Sequence, residues 1–552
     1  MASNSMSSTG YNSTNSDFNE SDYDLDDDDD QAFEINVNLG IERDMDSVHN
    51  NLGSGLGNVV DSDVVNEESG YDNSDSLQSV VDSDDASNRS FRKFLEFNIE
   101  TDMENPMLAK GMLFPSRESL KEAVKQYGRK NSKCYRAKTL ALEVVFGNAK
   151  EQYSRIYDYL QELWETNEGT TTICRLEARL FLRMYVCLQG CKSGFKTGCR
   201  PIISLDACFL KGYYRGHLMA AVGIVANDCM YPIAFAAIES ENFDSWCWFI
   251  DLMIQNLEIV NSYHWSFMSD KQKLLALGLV DALMELVPNV EHRNCVRHLY
   301  TNLKSQPNTK GKAIKDCLWK VARATYMKEF EDAMSKMRSL SKAAHKWILG
   351  KDPRQWSKAH FSTLIKCDML LNNLCECFNK YILEARGKPI LTMMETIRTK
   401  LMQMIAMKEI AAHKYTGVLC PKIQKKVDKI IEESVRCWAR HAGGAKYQVS
   451  CGPADQHVVD LECKNCSYRK WDLIGIPCTR AVVVMFCTGE MPELYVDPCY
   501  HKETQLQIYL HFINPIRGAN QWSVVQGMEP IIPPMMRRPL GKPHKSRRKG
   551  SR

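Results

Sequence analysis

The chain is 552 residues long, with 70 Lys/Arg, 68 Asp/Glu and a formal net charge of +2. That average conceals a split: residues 1–90 hold 22 acids against only Arg43 and Arg89, a net of −20, which leaves +22 on the other 462 residues. An acidic segment on a cationic body points to a polyanionic partner. The length excludes a single small domain, and 44% hydrophobic residues exclude wholesale disorder.

No apolar run approaches the ~18–20 residues that cross a bilayer; Asn227, Asp228 and Pro232 interrupt the nearest one, so no membrane partner is expected. The start, Met1-Ala-Ser-Asn-Ser5, lacks the charged and apolar regions of a secretory signal. The expectation is a soluble, intracellular protein whose 21 cysteines are free thiols or metal ligands rather than a disulfide framework.

In chain order, residues 1–90 are too poor in apolar surface to offset ordering entropy and read as a disordered acidic tail. Residues 91–165 form the next region. There Ser116 is placed to cap an amphipathic helix, and Tyr153, Ile156, Tyr157, Leu160 and Leu163 line one helical stripe. From residue 166 to 300 the period changes. Ile202–Leu210, Leu218–Ala226 and Tyr231–Glu239 read as three strands of a meander, followed by a helix over 245–257 and a strand over 264–269. A helix over 273–287, ended by Pro288, and a strand over 290–296 complete an α/β mixed sheet. Residues 301–370 read as a helical insertion, 371–440 as further helix and 450–486 as short strands around cysteines. Residues 487–552 read as an extended tail that turns basic, with eight Lys/Arg and no acid from Ile531 onward.

Three acids stand where metal-dependent phosphodiester chemistry would place them, at strand ends and on a nearby helix. Asp206 interrupts an apolar strand, Asp270 ends the fourth strand, and Glu376 lies between Asn372, Asn373 and Asn379 near a helix start. Each also has a plain structural role open to it. Asp206 could be a hydrogen-bonded strand acid, Asp270 a helix N-cap and Glu376 a solvated helix residue.

The words around these acids resemble the Mutator-like (MULE) transposases of plants. They are Arg200-Pro-Ile-Ile-Ser-Leu-Asp206-Ala-Cys-Phe-Leu-Lys-Gly212, Tyr231-Pro-Ile-Ala-Phe-Ala236, Ser245-Trp-Cys-Trp-Phe249, Ser269-Asp-Lys-Gln-Lys273, Glu291-His-Arg-Asn-Cys-Val-Arg-His-Leu299 and the Asn-Asn…Glu…Phe-Asn block at 372–379. The resemblance runs in order over about four-fifths of the chain. It implies an RNase H-like fold, a DDE triad of Asp206, Asp270 and Glu376 holding Mg²⁺ or Mn²⁺, and double-stranded DNA as partner, with self-association left open. Two departures stand out. Ala207 occupies a place where the family commonly has Gly, which Ala fills unless φ must be positive. The family's zinc-bearing DNA-binding module between Tyr127 and Lys133 is absent. A non-catalytic DNA-binding regulator, like the FAR-RED IMPAIRED RESPONSE transcription factors, shares this architecture and is the alternative.

Further on, Cys466-Ser-Tyr468 and Cys478-Thr-Arg480 resemble a SWIM zinc finger of pattern C-x-C…C-x-H, with Tyr468 and Arg480 standing in two of the four ligand places. Cys463 could substitute, with His457, Cys499 or His501 as a fourth ligand. Two surviving ligands cannot hold Zn²⁺ tightly, so a metal-free hairpin subdomain around Trp471, Leu473, Ile476 and 482–485 is the expectation. Cys295-x-x-His298 offers two further soft ligands, or else a buried thiol and a histidine orienting the catalytic face. Lys271, Lys273, Arg293, Arg297, Lys380, Arg386 and Lys388 cluster around the acids as candidate phosphate contacts. The terminal Arg537–Lys549 run reads as a nuclear-localisation signal, and Gly541-Lys-Pro543 resembles the core of an AT-hook.

Overall fold

The structure is a computed structural model that describes residues 97–103, 115, 116, 119 and 123, then 148–535 apart from 213 and 271–276. The acidic segment 1–90, Lys271, Lys273 and the basic run from Arg537 lie outside the described residues. The chain divides into two compact units, Met1–Asn131 and Ser132–Arg552, so the boundary falls inside the region read from sequence as 91–165. In the first unit, Ser116 and Ser119 each accept the other's backbone N–H on the hydroxyl, at 3.0 and 3.1 Å, which is the cap expected at Ser116.

The first elements described in the second unit are helices α1 (Ala149–Ser154) and α2 (Ile156–Thr166), whose Tyr153, Ile156, Leu160 and Leu163 are buried as the stripe predicts, with Tyr157 partly so. A seven-stranded sheet follows, in the order β1-β2-β5-β4-β3-β6-β7. Its strands are β1 (Thr171–Glu177), β2 (Leu180–Cys187), β3 (Ile202–Phe209), β4 (His217–Ile224), β5 (Met230–Ile238), β6 (Ser266–Ser269) and β7 (Glu291–Asn294). Helix α3 (Gln189–Gly198) joins β2 to β3, α4 (Phe243–Leu257) joins β5 to β6, and α5 (Leu277–Leu286) joins β6 to β7. The five strands read from sequence are present. β1 and β2 extend the sheet on one edge.

β4 and β5 are buried almost throughout, as strands covered on both faces must be, and their sequences are correspondingly near-continuous apolar runs. Pro232 is tolerated inside β5 because the ladder to β4 shifts register there, between Ala221 and Val222, and β2 pairs only with residues 235–237. α4 starts two residues earlier than the apolar period indicates, because Asn242 and Ser245 cap each other reciprocally.

After β7 come α6 (Val296–Lys304), α7 (Lys312–Arg323), α8 (Met327–Leu340) and α9 (Lys342–Leu349), with their own core around Leu318, Val321, Met337 and Trp356. The helical reading of the insertion holds up to residue 349; residues 353–372 are short 3₁₀ turns and irregular chain. Helices α10 (Asn373–Tyr381), α11 (Ile390–His413) and α12 (Pro421–Ser434) follow. A second antiparallel sheet, in the order β11-β10-β9-β8, is made of β8 (Trp438–Gly443), β9 (Lys446–Gly452), β10 (Asp455–Asp460) and β11 (Asn465–Cys466). It begins at 438 rather than 450. Residues 482–485 belong not to a hairpin but to helix α14 (Thr479–Thr488), which follows the short α13 (Lys470–Ile474) and packs on this sheet. Cys437 and Cys451 form a disulfide, an exception to the expectation of free thiols or metal ligands: Trp438 pairs with Ser450, so Cys437, just before β8, stands opposite Cys451 of β9.

The segment read as an extended tail is, up to residue 535, part of the main unit. Helix α15 (Lys502–Tyr509) lies against α3 so closely that a Cβ on Gly194 would stand 2.6 Å from the Ile508 carbonyl. Ile508, Tyr509, Ile513 and Ile531 enter the main core, and Ile532 hydrogen-bonds along the start of β2, donating to Arg179 O at 2.9 Å and accepting from Phe181 N at 2.8 Å.

Candidate active site

The site is built on three neighbouring strands that run parallel. Leu205 of β3 is in register with Ser269 of β6, and Ser269 with Asn294 of β7. The next residue on each strand is therefore Asp206, Asp270 and Cys295, a row across the carboxyl ends of β6 and β7, where open α/β sheets place ligands. Ala207 sits mid-strand opposite Met219 and is not among the residues of positive φ, so the absence of Gly there carries no conformational cost.

Asp206 is partly buried, and its carboxyl is pushed up to about 7, first by burial and then by the like charge of Asp270. Asn379 Nδ2 donates to Asp206 Oδ2 at 2.7 Å and opposes that rise. Asn379 lies on α10, and Asn372, the residue just before α10, donates by Nδ2 to the Leu205 carbonyl at 3.2 Å. Both asparagines therefore dock one face of α10 on β3. Glu376, four residues after Asn372 and three before Asn379, shares that face. Cys375 beside it is fully buried, and its thiol is raised well above the usual range by burial, then by Asp206, Asp270 and Glu376 in turn. One buried sulfur thus senses all three carboxylates.

The three acids are not drawn together as ligands in this conformation. Glu376 Oε2 accepts from Arg297 Nη1 at 2.9 Å, and Arg297 Nη2 reaches Asn373 Oδ1 at 3.4 Å. Among the described residues, the one group of three potential ligands within 4.8 Å of one another is Asp270, Cys295 and His298. Asp270 Oδ1 stands 3.0 Å from His298 Nδ1, although the ring N–H does not point along that line and neither atom makes an aligned hydrogen bond. The Asp270 carboxylate, then Cys295, raise His298 to about 10. Residues 271–276, where a helix capped by Asp270 would begin, lie outside the described residues.

Glu241, which sequence reasoning passed over, adds a further negative charge near Asp206. It follows β5 just ahead of the α4 cap, accepts from Trp246 Nε1 at 3.2 Å and is itself raised by burial. An acid between a strand end and a capped helix was the available signal.

Among the candidate phosphate contacts, Arg293 is a correction. It is fully buried, its guanidinium bound to Glu291 Oε2 at 2.7 Å and to the Cys367 carbonyl at 2.6 Å, and it lies 4.0 Å over the Phe361 ring. Alternation along β7 turns it inward, away from any nucleic acid. Arg386 instead holds the Phe209 carbonyl at the end of β3 by Nε and Nη2, at 3.1 and 2.8 Å, and Phe209 beside it is exposed. Arg297 is committed to Glu376, as above.

Cys466 of β11 and Cys478, the cap of α14, are both buried, and their mutual interaction lowers Cys478 and, with burial, raises Cys466. The other candidate ligands do not join them. Cys463 is exposed, and Cys499 packs in a different core with Val496 and Tyr500. His457 has Asp455 Oδ1 at 3.2 Å on one ring nitrogen and Ser467 Oγ at 3.1 Å on the other. Tyr468 and Arg480, the two residues that depart from the C-x-C…C-x-H pattern, stack on each other at 4.0 Å, and Asp455 accepts from Arg480 Nη2 at 2.7 and 2.9 Å.

No helix among the described residues is long and apolar enough to cross a membrane. No curated protein matches the chain. Residues 202–302, less than a fifth of the chain, match the MULE transposase domain, a span that holds Asp206, Asp270, Cys295 and His298 and stops short of Glu376.

Proposed function

We propose that the chain is a DDE-type transposase, or a protein derived from one, that cuts and joins DNA in the nucleus. The reading is carried by one observation: Asp206 and Asp270 end up side by side on parallel strands, and their mutual repulsion together with burial holds Asp206 far above the usual carboxylate range. Two partly buried acids in that position suit a shared divalent cation, which removes the repulsion. Within the sheet, the antiparallel run β5-β4-β3 continued by the parallel strands β6 and β7 supports an RNase H-like core.

Asp206, Asp270 and Glu376 would hold Mg²⁺ or Mn²⁺. Bound there, a pair of such ions supplies an activated water or DNA 3′-OH for in-line attack and stabilises the leaving oxygen. The chain's own residues orient the acids. Asn379 fixes one oxygen of Asp206, Asn372 fixes the helix that carries Glu376, and Arg297 holds Glu376 back from the other two. Closure then requires Glu376 to exchange Arg297 for the metal side, with Arg297 turned to a DNA phosphate. Zn²⁺ is not assigned to the SWIM-like region, whose two altered positions are filled by the Tyr468–Arg480 stack.

Purified protein with Mg²⁺ or Mn²⁺ should nick supercoiled DNA, and Asp270→Asn should abolish the nicking. Nicking that survives this substitution overturns the catalytic assignment. One observation favours a second reading, a DNA-binding regulator without catalysis: the Arg297–Glu376 pair leaves the third acid engaged elsewhere. A reporter effect that depends on DNA and persists in Asp270→Asn would support it.

A further inference from the structure

We propose that Asp270, Cys295 and His298 form a binding site for a thiophilic divalent cation of the zinc class, with three protein ligands and one open position. The binding stands apart from the nuclease reading; its one consequence for catalysis, competition for Asp270, rests on that reading.

The register of the sheet creates the site. Asp270 and Cys295 are the first residues past β6 and β7, which pair in register, and Cys295 N donates to the Ser269 carbonyl at 3.1 Å, which fixes the two side by side. Cys295 is then the cap of α6, and three residues on, in the first turn, His298 comes back over it. The three ligating atoms lie within 4.8 Å of one another. Zinc–ligand bonds of about 2.0–2.3 Å in a tetrahedron bring ligands somewhat nearer than that, so small side-chain rotations complete the shell.

Three features mark this as a ligand site rather than a chance meeting. Asp270 Oδ1 and His298 Nδ1 are both shut off from solvent and face each other at 3.0 Å without an aligned hydrogen bond, so no aligned donor has to be displaced from either atom when an ion enters between them. The set of thiolate, imidazole and carboxylate selects a borderline-soft ion over Mg²⁺, which takes oxygen alone. The nearest cation on α6, Arg297, is paired with Glu376, so its charge does not stand unopposed against an incoming ion. The thiol is fully buried at the foot of the site while the carboxylate and imidazole keep a fraction of their surface, which leaves the fourth position to water from the solvent side. Binding releases the protons of the Cys295 thiol and the imidazolium to solvent.

The full-length protein titrated with Co²⁺ should bind one equivalent, with the thiolate-to-cobalt charge-transfer band of a cysteine ligand. Cys295→Ser should remove that band, and a Cys466→Ser/Cys478→Ser variant should keep it. Because Cys295 is buried, His298→Gln provides a milder second variant; it should weaken Co²⁺ binding by more than about tenfold, the loss that even outer partners of a metal cause. Cobalt spectra and affinities unchanged in both Cys295→Ser and His298→Gln would overturn the site. Excess Mg²⁺ should weaken Co²⁺ binding in the unaltered protein if Asp270 also serves a hard-ion site; Co²⁺ binding that is blind to Mg²⁺ leaves the soft site standing and counts against the nuclease reading instead.

Discussion

Asn379 of α10 donates to Asp206 of β3 across 2.7 Å, tying together residues 173 positions apart. The hydrogen bond stabilises the ionised carboxylate against burial and against Asp270. Asn379→Ala should therefore push Asp206 further up and cost about 1.5–3 kcal/mol, the range for a hydrogen bond to a charged group. Chemical denaturation measures the stability, and the pH dependence of Mn²⁺ binding measures the carboxyl. A binding midpoint that stays put in Asn379→Ala would detach Asn379 from the acid.

A pH dependence follows from Asp206 itself. Its folded value, about 7, lies above the ordinary 3.8, so the folded state binds the extra proton between these limits. Stability contributed by this group is thus greatest at acid pH and declines as pH rises from about 4 to 7. Divalent-ion binding has the opposite slope, because the proton must leave first. Mn²⁺ affinity should climb through pH 7 in the unaltered protein and lose that climb in Asp206→Asn. His298 acts in a higher window: raised to about 10, it contributes stability that is full below its ordinary 6.5 and is lost as pH passes 10.

Arg293 and Arg386 should separate cleanly. Arg293→Ala strands Glu291 and opens the core under Phe361, at a cost of about 3–5 kcal/mol. Arg386→Ala should leave folding nearly intact and lower the salt slope of DNA binding by about 1. Thermal melts and filter binding across a salt series would read both. Equal effects of the two substitutions on the salt slope would contradict the burial of Arg293.

The Tyr468–Arg480 stack makes a restorative substitution possible. If that pair replaced two metal ligands, Tyr468→Cys with Arg480→His should return a C-x-C…C-x-H set next to Cys466 and Cys478 and take up one Zn²⁺, counted by native mass spectrometry. Arg480→Ala alone, which leaves Asp455 with His457 as its remaining charged partner, should destabilise the second sheet without any response to chelators. No zinc in the double variant would mean that the likeness to a finger ends at the sequence.

The strands around Asp206 and Asp270 were legible because their apolar runs are long and turn signals separate them. β1 and β2 were not, for a local reason: the two-residue turn between them is Ala178-Arg179, both at positive φ, where hairpins usually announce themselves with Asn or Gly. Residues 502–532 were mistaken for a tail because their few apolar residues are spaced to fit a surface made by α3 and the sheet rather than to a period of their own. The direction of Arg293 depended on which way a four-residue strand faced, and one step of register reverses that. Of the site, the three acids and the soft pair could be singled out in sequence. That Asp270 would stand in line with both Asp206 and Cys295 required two strand pairings, one joining Leu205 to Ser269 and the other Ser269 to Asn294.

The strap formed by α15 and Ile532 bears on how this protein can be divided. The span that matches the transposase domain starts after β2 and ends within α6, yet its buried faces are covered by helix and chain from 502–532, far beyond it. Cut out alone, that span would be a torn sheet with bare apolar sides and a raw edge, prone to aggregate. A gene copy shortened after about residue 490 would forfeit the same cover, so its acids could all be intact while the fold that lines them up never formed.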